Sequence, residues 1–271
     1  MTGKYLAGVI QLNSSSNREA NLNKAAGYIR EAAAAGCALI SLPEVFDCFC
    51  EDSKKYELAE APENGSTLTS LKNLAYELKV WLICGSMIVR ADKGQRVWNR
   101  SHLLNPQGEL VAFYDKVHLF DIQLGQGPSY HESSYTTPGA KPVMASTPLG
   151  KIGLSICYDL RFPELYRTYS DQGATIISVP SAFTKTTGQD HWESLVRVRA
   201  IENQCYVLAP NQWGSHGEGR ETWGHSMIVD PWGIVLACRQ EGEGLIMAEL
   251  NTDYQHGIRE KLPCLTHRRF T

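Results

Sequence analysis

Lys151-Ile152-Gly153-Leu154-Ser155-Ile156-Cys157-Tyr158-Asp159-Leu160-Arg161-Phe162-Pro163-Glu164 is the stretch from which the fold can be read. Residues 152–156 predict a short apolar strand, bounded by Gly150 and by the polar cluster 159–161. Pro163 suits the first turn of a following helix, because its fixed φ is helical and its missing N–H is not needed there. Cys157 therefore falls at a strand-to-helix corner. In open α/β sheets ligands bind at the carboxyl ends of strands, and a helix start offers unpaired N–H groups to negative charge. A cysteine among apolar residues is more often a buried structural thiol, so the rest of the chain must bring chemistry to it.

Working outward, the pattern repeats. Residues 5–12 predict a strand, and Ser16 with Glu19 three positions on predicts a capping box opening a helix. In that helix Leu22, Ala25, Ala26, Ile29, Ala32 and Ala33 share one face, with Gly36 as its C-terminal cap. Strand 38–42 ends at Pro43-Glu44; helix 67–79 leads to strand 80–84. Strands 98–104 and 110–114 flank the turn Asn105-Pro106-Gln107-Gly108 and run into Asp115-Lys116-Val117-His118. Residues 121–140, with Gly125, Gly127, Pro128, Pro138 and Gly139, predict a long loop, and long loops in compact domains are often functional. Beyond Cys157 come a helix from Pro163, strand 174–179, a helix over 190–204 and strand 205–209. Two strands, 224–229 and 234–238, embrace Asp230-Pro231-Trp232-Gly233, and a last strand covers 245–250. Two mixed sheets face to face with helices outside would bury all these apolar runs, as would one large doubly wound sheet.

The chain of 271 residues is 43% hydrophobic and 20% charged, within the globular range, and no linker divides it, so one domain over 1–271 is expected. A net charge of −3 with scattered Lys and Arg leaves no basic footprint, which argues against nucleic acid and membrane surfaces as partners. The first residues lack the apolar run of a signal segment, so a cytoplasmic location is expected and the eight cysteines read as reduced thiols. Of these, Cys84, Cys205 and Cys238 predict core positions. Cys48 and Cys50 form a tight pair without the second pair that a zinc site would need. The Asn-x-Ser matches at Asn13, Asn64 and Asn99 carry no meaning in a cytoplasmic chain.

Three reactive side chains thus fall just past strand ends: Glu44, Lys116 and Cys157. A thiol is mostly protonated at neutral pH and needs a base or a cationic neighbour. Glu44 could take the proton as sulfur attacks, and Lys116 with the Tyr158 N–H could hold the oxyanion. A carboxylate beside the thiol opposes a standing thiolate, so proton transfer coupled to attack is expected. The local sequences Leu42-Pro43-Glu44, Asp115-Lys116-Val117-His118-Leu119-Phe120-Asp121 and Cys157-Tyr158-Asp159-Leu160-Arg161-Phe162-Pro163-Glu164 together resemble the nitrilase superfamily, the carbon–nitrogen hydrolases. The resemblance runs end to end. It implies a four-layer α-β-β-α sandwich of two mixed sheets, usually dimeric through the sheet-to-sheet face, with no metal or organic cofactor. It implies Glu44 as base, Lys116 as oxyanion stabiliser and Cys157 as nucleophile. Glu132 matches a second glutamate of the family, which would orient Lys116 and the attacking water.

Ser181-Ala182-Phe183-Thr184, His191-Trp192-Glu193, Arg197 to Val207 and Gly224 to Gly233 resemble the branch of that family acting on deaminated glutathione. The ω-amidase branch is similar over the same blocks, but typically has asparagine where this chain has Thr184. The implied substrate is a small anionic amide, so the pocket requires cations, with Arg161 and Lys185 as candidates and Tyr158, Phe183 and Thr184 as walls. Arg197 and Arg199 share a helix with Glu193 and Glu202 and predict salt bridges. Two rival readings are a cysteine–histidine hydrolase using His118 or His225, and a non-catalytic interaction module on the same scaffold.

Overall fold

Apolar side chains at every second position along the strands, and at three- and four-residue steps along the helices, sort the chain into layers. The structure is a computed structural model describing residues 3–91, 95–123, 129–217 and 219–270. In chain order the first half holds β1 (Lys4–Gln11), α1 (Arg18–Ala34), β2 (Cys37–Ser41), the single turn α2 (Lys55–Leu58), α3 (Ser66–Leu78), β3 (Trp81–Ile83), β4 (Met87–Arg90), β5 (Val97–Leu104) and β6 (Leu110–Asp115). A ribbon of β7 (Asp121–Gln123) and β8 (Ser129–His131) follows. The second half holds β9 (Val143–Thr147), β10 (Gly150–Leu154), α4 (Pro163–Asp171), β11 (Ile176–Ser178), α5 (Lys185–Asn203), β12 (Tyr206–Ala209), β13 (Trp213–Ser215), β14 (Glu221–Trp223), β15 (Ser226–Val229), β16 (Val235–Arg239), β17 (Gly244–Asn251) and α6 (Thr252–Lys261).

Two mixed sheets result. The first runs β17-β1-β2-β3-β5-β4, with β6 on the other side of β5, and the second runs β16-β15-β12-β11-β10-β9. Each has three parallel strands at its centre, β1-β2-β3 and β10-β11-β12, flanked by antiparallel ones. β17 crosses back from the second half to pair with β1 along its whole length, from Lys4 opposite Asn251 to Gln11 opposite Gly244.

Adjacent residues sort to opposite faces of the first sheet, as period two requires. Val9, Leu39, Ile83 and Leu103 pack against Ile152, Leu154 and Ile176 of the second sheet, while Ile10, Ile40, Leu82 and Leu104 pack against α1 and α3. Tyr166 and Tyr169 of α4 and Trp192 and Val196 of α5 cover the second sheet's outer face. Each buried Leu or Ile contributes roughly 1.5–3 kcal/mol. The four-layer sandwich is therefore what the apolar pattern demands once two sheets rather than one are formed.

Several expectations shift. The cap of α1 is Asn17, whose Oδ1 accepts from Ala20 N at 3.0 Å, rather than Ser16; asparagine caps as well as serine does. α5 begins at Lys185, five residues before the predicted start, because Gly188 in its first turn reads as a breaker. A Cβ there would stand 2.4 Å from the Trp223 Cβ, so glycine lets the helix lie against β14. Residues 121–140 are not a plain loop: β7 and β8 pair within them, and residues 124–128 of the expected loop lie outside the described residues. The three-residue strands β7, β8, β13 and β14 lie outside the apolar runs that mark β3 and β11, and the expected elements do not include β4, β9 or α6. Cys238 is exposed rather than core, on the edge strand β16. Among the described residues no helix is long and apolar enough to cross a membrane.

Gly85 fixes the end of β2. With φ at +55° it presses its backbone on the strand end, where an added Cβ would stand 2.0 Å from Pro43 O. Ser86 then ties the next residues, donating from its N–H to Pro43 O (3.2 Å) and accepting at Oγ from Val45 N (3.0 Å). Gly85→Ala is expected to lower unfolding stability by about 1–3 kcal/mol through overpacking and left-handed strain, and to lower kcat by displacing Glu44. Urea denaturation and steady-state kinetics of the variant check both.

Candidate active site

The two sheets bring three strand ends together: Glu44 just past β2, Lys116 directly after β6, and Cys157 three residues past β10. Cys157 adopts φ +48°, a left-handed conformation rare for a side-chain-bearing residue. Its own N–H donates to Pro180 O at 2.9 Å. The buried Asp159 clamps this corner, its carboxylate accepting from Ile156 N (2.8 Å), Tyr114 Oη (2.8 Å) and His118 N (3.0 Å). One carboxylate thus ties the corner of the second sheet to the strand of the first that delivers Lys116.

The Lys116 ammonium is buried between two carboxylates, 3.0 Å from Glu44 Oε1 and 2.8 Å from Glu132 Oε2. Asn99 Nδ2 donates to Glu44 Oε1 at 2.8 Å and to Glu132 Oε1 at 3.3 Å, bridging the pair. Backbone N–H groups complete the frame: Ala182 N donates to Glu44 Oε2 (2.8 Å) and Phe120 N to Glu132 Oε2 (2.7 Å). The Cys157 thiol lines the same cleft as Glu44, Lys116 and Ala182, all of which act on it electrostatically. Burial and the Glu44 charge push this thiol well above its ordinary range, against the pull of Lys116 and the Ala182 N–H. Burial would drain the Lys116 ammonium of its proton, but Glu132, Glu44 and the sulfur outweigh it and hold the group charged. At rest the sulfur is a thiol beside a base, as expected from the charges alone.

These groups sit together in one cleft, with a cavity volume of about 110 Å³. Tyr158, Phe183 and Thr184 line it as expected, and so does Glu132. Arg161 and Lys185 are not on its wall. The Arg161 guanidinium lies 5.1 Å from the Phe183 ring centroid and 6.0 Å from that of Tyr158, with His191 Nδ1 at 3.3 Å. Lys185 pairs with Glu221 at 3.2 Å, both side chains about half exposed. The cations on the wall are instead Lys55 and Arg220, in stretches with no periodicity to mark them. His118 bonds Asp159 through Nδ1 (2.7 Å) and stacks on Phe162, and His225 stacks on Trp223; neither lines the cleft, which removes the cysteine–histidine reading. Arg197 and Arg199 pair with Glu193 and Glu202 on α5 as expected. Asn99 was missed because its only sequence signal, Asn-Arg-Ser, is that of a glycosylation site.

A glutamate–lysine–cysteine cluster at the strand ends of a two-sheet α/β sandwich defines an amidase of the carbon–nitrogen hydrolase family, and the chain belongs to that family: its profile matches residues 6–259. The chain is 44% identical to mouse deaminated glutathione amidase, covering 97% of this chain and 83% of the mouse protein. Among solved structures it is similar to the nitrilase and fragile histidine triad fusion protein of Caenorhabditis elegans, with TM-score 0.94 and 37% identity over 100% of this chain and 67% of that one. It is also similar to a Glu-to-Gln mutant of an amidase from Nesterenkonia, described with acrylamide added at its active-site cysteine, at TM-score 0.79 and 25% identity over 96% and 98% of the chains.

Because Glu44 raises the thiol and Lys116 lowers it, their removal should act in opposite directions. Glu44→Gln is expected to move the Cys157 titration down and Lys116→Met to move it up. Ultraviolet thiolate absorbance against pH, taken as a difference from Cys157→Ser, measures both, and movement in the same direction would contradict the charge arrangement.

Proposed function

We propose that the protein is a cytoplasmic, cysteine-dependent amidase that hydrolyses deaminated glutathione to 2-oxoglutarate and Cys-Gly. The observation carrying this reading is the Lys116–Glu44 ion pair lining one cleft with Cys157, taken with the similarity to mouse deaminated glutathione amidase. Sulfur attacks the amide carbonyl as its proton passes to Glu44. The resulting oxyanion is held by the Lys116 ammonium and the Tyr158 N–H, each such donor contributing roughly 3 kcal/mol. Glu44 then gives its proton to the leaving nitrogen, the C–N bond breaks, and a thioester remains on Cys157. Water attacks that thioester while Glu44 takes its proton, the C–S bond breaks, and the thiol is restored. Glu132, bonded to Lys116, keeps the ammonium aimed, and Asn99 spaces the two carboxylates.

Loss of Cys157 or Glu44 is expected to reduce turnover by at least ~10²-fold. A panel of deaminated glutathione, 2-oxoglutaramate and a simple nitrile against wild type and Cys157→Ala tests the reading. Preference for 2-oxoglutaramate would move the protein to the ω-amidase branch, and a missing acyl mass increment on wild-type Cys157 under rapid quench would count against the thioester.

The proposed assembly is a homodimer. Its face cannot be sheet-to-sheet, since within one chain the sheets already cover each other. Val198 and Ile201 of α5 lie exposed beside Trp232 and Ile234, and a Cβ on Gly233 would meet Ile201 at 2.4 Å, so these residues form one apolar patch. Light scattering should give a dimer for wild type and a monomer for Ile201→Glu.

A further inference from the structure

The cleft contains a second charged group that the acyl-transfer chemistry does not use. Lys55 Nζ bonds Tyr135 Oη at 2.7 Å and Asp52 Oδ1 at 3.0 Å, and stands 4.1 Å over the Tyr135 ring. Arg220 Nη2 is 3.2 Å from Asp52 Oδ2, and its Nη1 donates to Cys50 O at 3.3 Å. Lys55, Asp52, Tyr135 and Arg220 all line the same cleft as Cys157. Two cations share one carboxylate, so this cluster carries a net positive charge, whereas the floor set of Glu44, Glu132, Lys116 and a neutral thiol carries a net negative one. An anionic group entering the cleft is repelled at the floor and attracted at this wall. A lysine with three donors and an arginine with five have donors to spare beyond Asp52, Tyr135 and Cys50 among the described residues. The remaining charged wall residue, Glu221, is paired with Lys185 at the exposed edge.

Resting on the substrate proposed above, we infer that Lys55 and Arg220 form a carboxylate-binding site for the leaving-group end of the substrate, the terminal carboxylate of the departing dipeptide. Reach supports this placement. Tyr135, which holds Lys55, closes the short turn that begins at Glu132, its N–H donating to Glu132 O at 3.3 Å, and the Glu132 carboxylate that aims Lys116 acts electrostatically on the Lys55 ammonium in the same cleft. The leaving dipeptide places its carboxylate about 7 Å from the scissile bond when extended. Asp52 holds both cations on the wall, so the ligand's carboxylate meets donors already in position. A ligand with a carboxylate only on its acyl end would leave this site unused.

The test compares three substrates: deaminated glutathione, the same molecule with its glycine carboxylate capped as the N-methylamide, and 2-oxoglutaramate, which lacks the dipeptide. For wild type the capped substrate is expected to show a KM about tenfold or more above that of the acid with kcat within about threefold. Arg220→Gln should raise KM for the acid about tenfold, leave capped substrate and 2-oxoglutaramate unchanged, and recover in part in Arg220→Lys. Equal wild-type KM values for acid and capped substrate would overturn the inference and leave the amidase reading intact, and this comparison needs no variant. A KM increase on all three substrates in Arg220→Gln would also overturn it, pointing to a clasp between the 50–58 and 213–223 segments. Wild type that hydrolyses 2-oxoglutaramate but not deaminated glutathione would remove the proposed substrate and the inference with it.

Discussion

Everything in this site depends on one ammonium held out of water. Lys116 sits between Glu44 and Glu132 at 3.0 and 2.8 Å, and its burial would be prohibitive without both carboxylates. The reverse also holds, since two buried carboxylates so close together need a cation between them. Asn99 bonds both, the Ala182 N–H donates to Glu44 Oε2, and the Phe120 N–H adds a second bond to Glu132 Oε2 beside that of Lys116. Every oxygen of the two carboxylates is bonded, although the buried Asn99 Oδ1 is not, and carboxylates bonded from several elements in a low-dielectric interior are held in one arrangement. Rigidity of that kind lets Glu44 stand beside the sulfur without transferring charge before a substrate arrives.

The fold exists in the form it does because that network must be assembled from both sheets. Glu44 and Lys116 arrive on the first sheet and Cys157 on the second, with Asp159 bonding across the junction. β17 pairs with β1 along eight residues and so fixes the halves of the chain in register. The left-handed backbone at Cys157 is a local strain that this packing overcomes, and the close approach of Gly85 to Pro43 is one that glycine makes without strain. Both lie at the strand ends that carry the reactive groups, where position matters more than local stability.

Polarity is divided within the cleft. The floor is net negative and buried, suited to a neutral thiol and a charged lysine, while the wall built on Asp52 carries an excess of positive charge. Aromatic rings of Phe120, Tyr130, Tyr158 and Phe183 lie between. Separation of this kind lets an anionic molecule be recognised at its end while its amide meets a carboxylate base at its centre.

By itself the sequence determined the central strands of both sheets, the helices that cover them, and the positions of Glu44, Lys116 and Cys157 beyond strand ends. All of these are encoded in periodicity and residue type over a few neighbouring positions. Glu132 was legible only through family resemblance, because a carboxylate after a histidine in a glycine-rich stretch has no local mark of burial. The tertiary structure alone decided that Asn99 bridges the two glutamates, that Lys55 and Arg220 rather than Arg161 and Lys185 stand on the cleft wall, and that His118 serves Asp159 instead of the sulfur. The physical reason is that a side chain's chemistry is carried by its own atoms, whereas its burial, its partner and hence its charge state are set by segments distant in sequence.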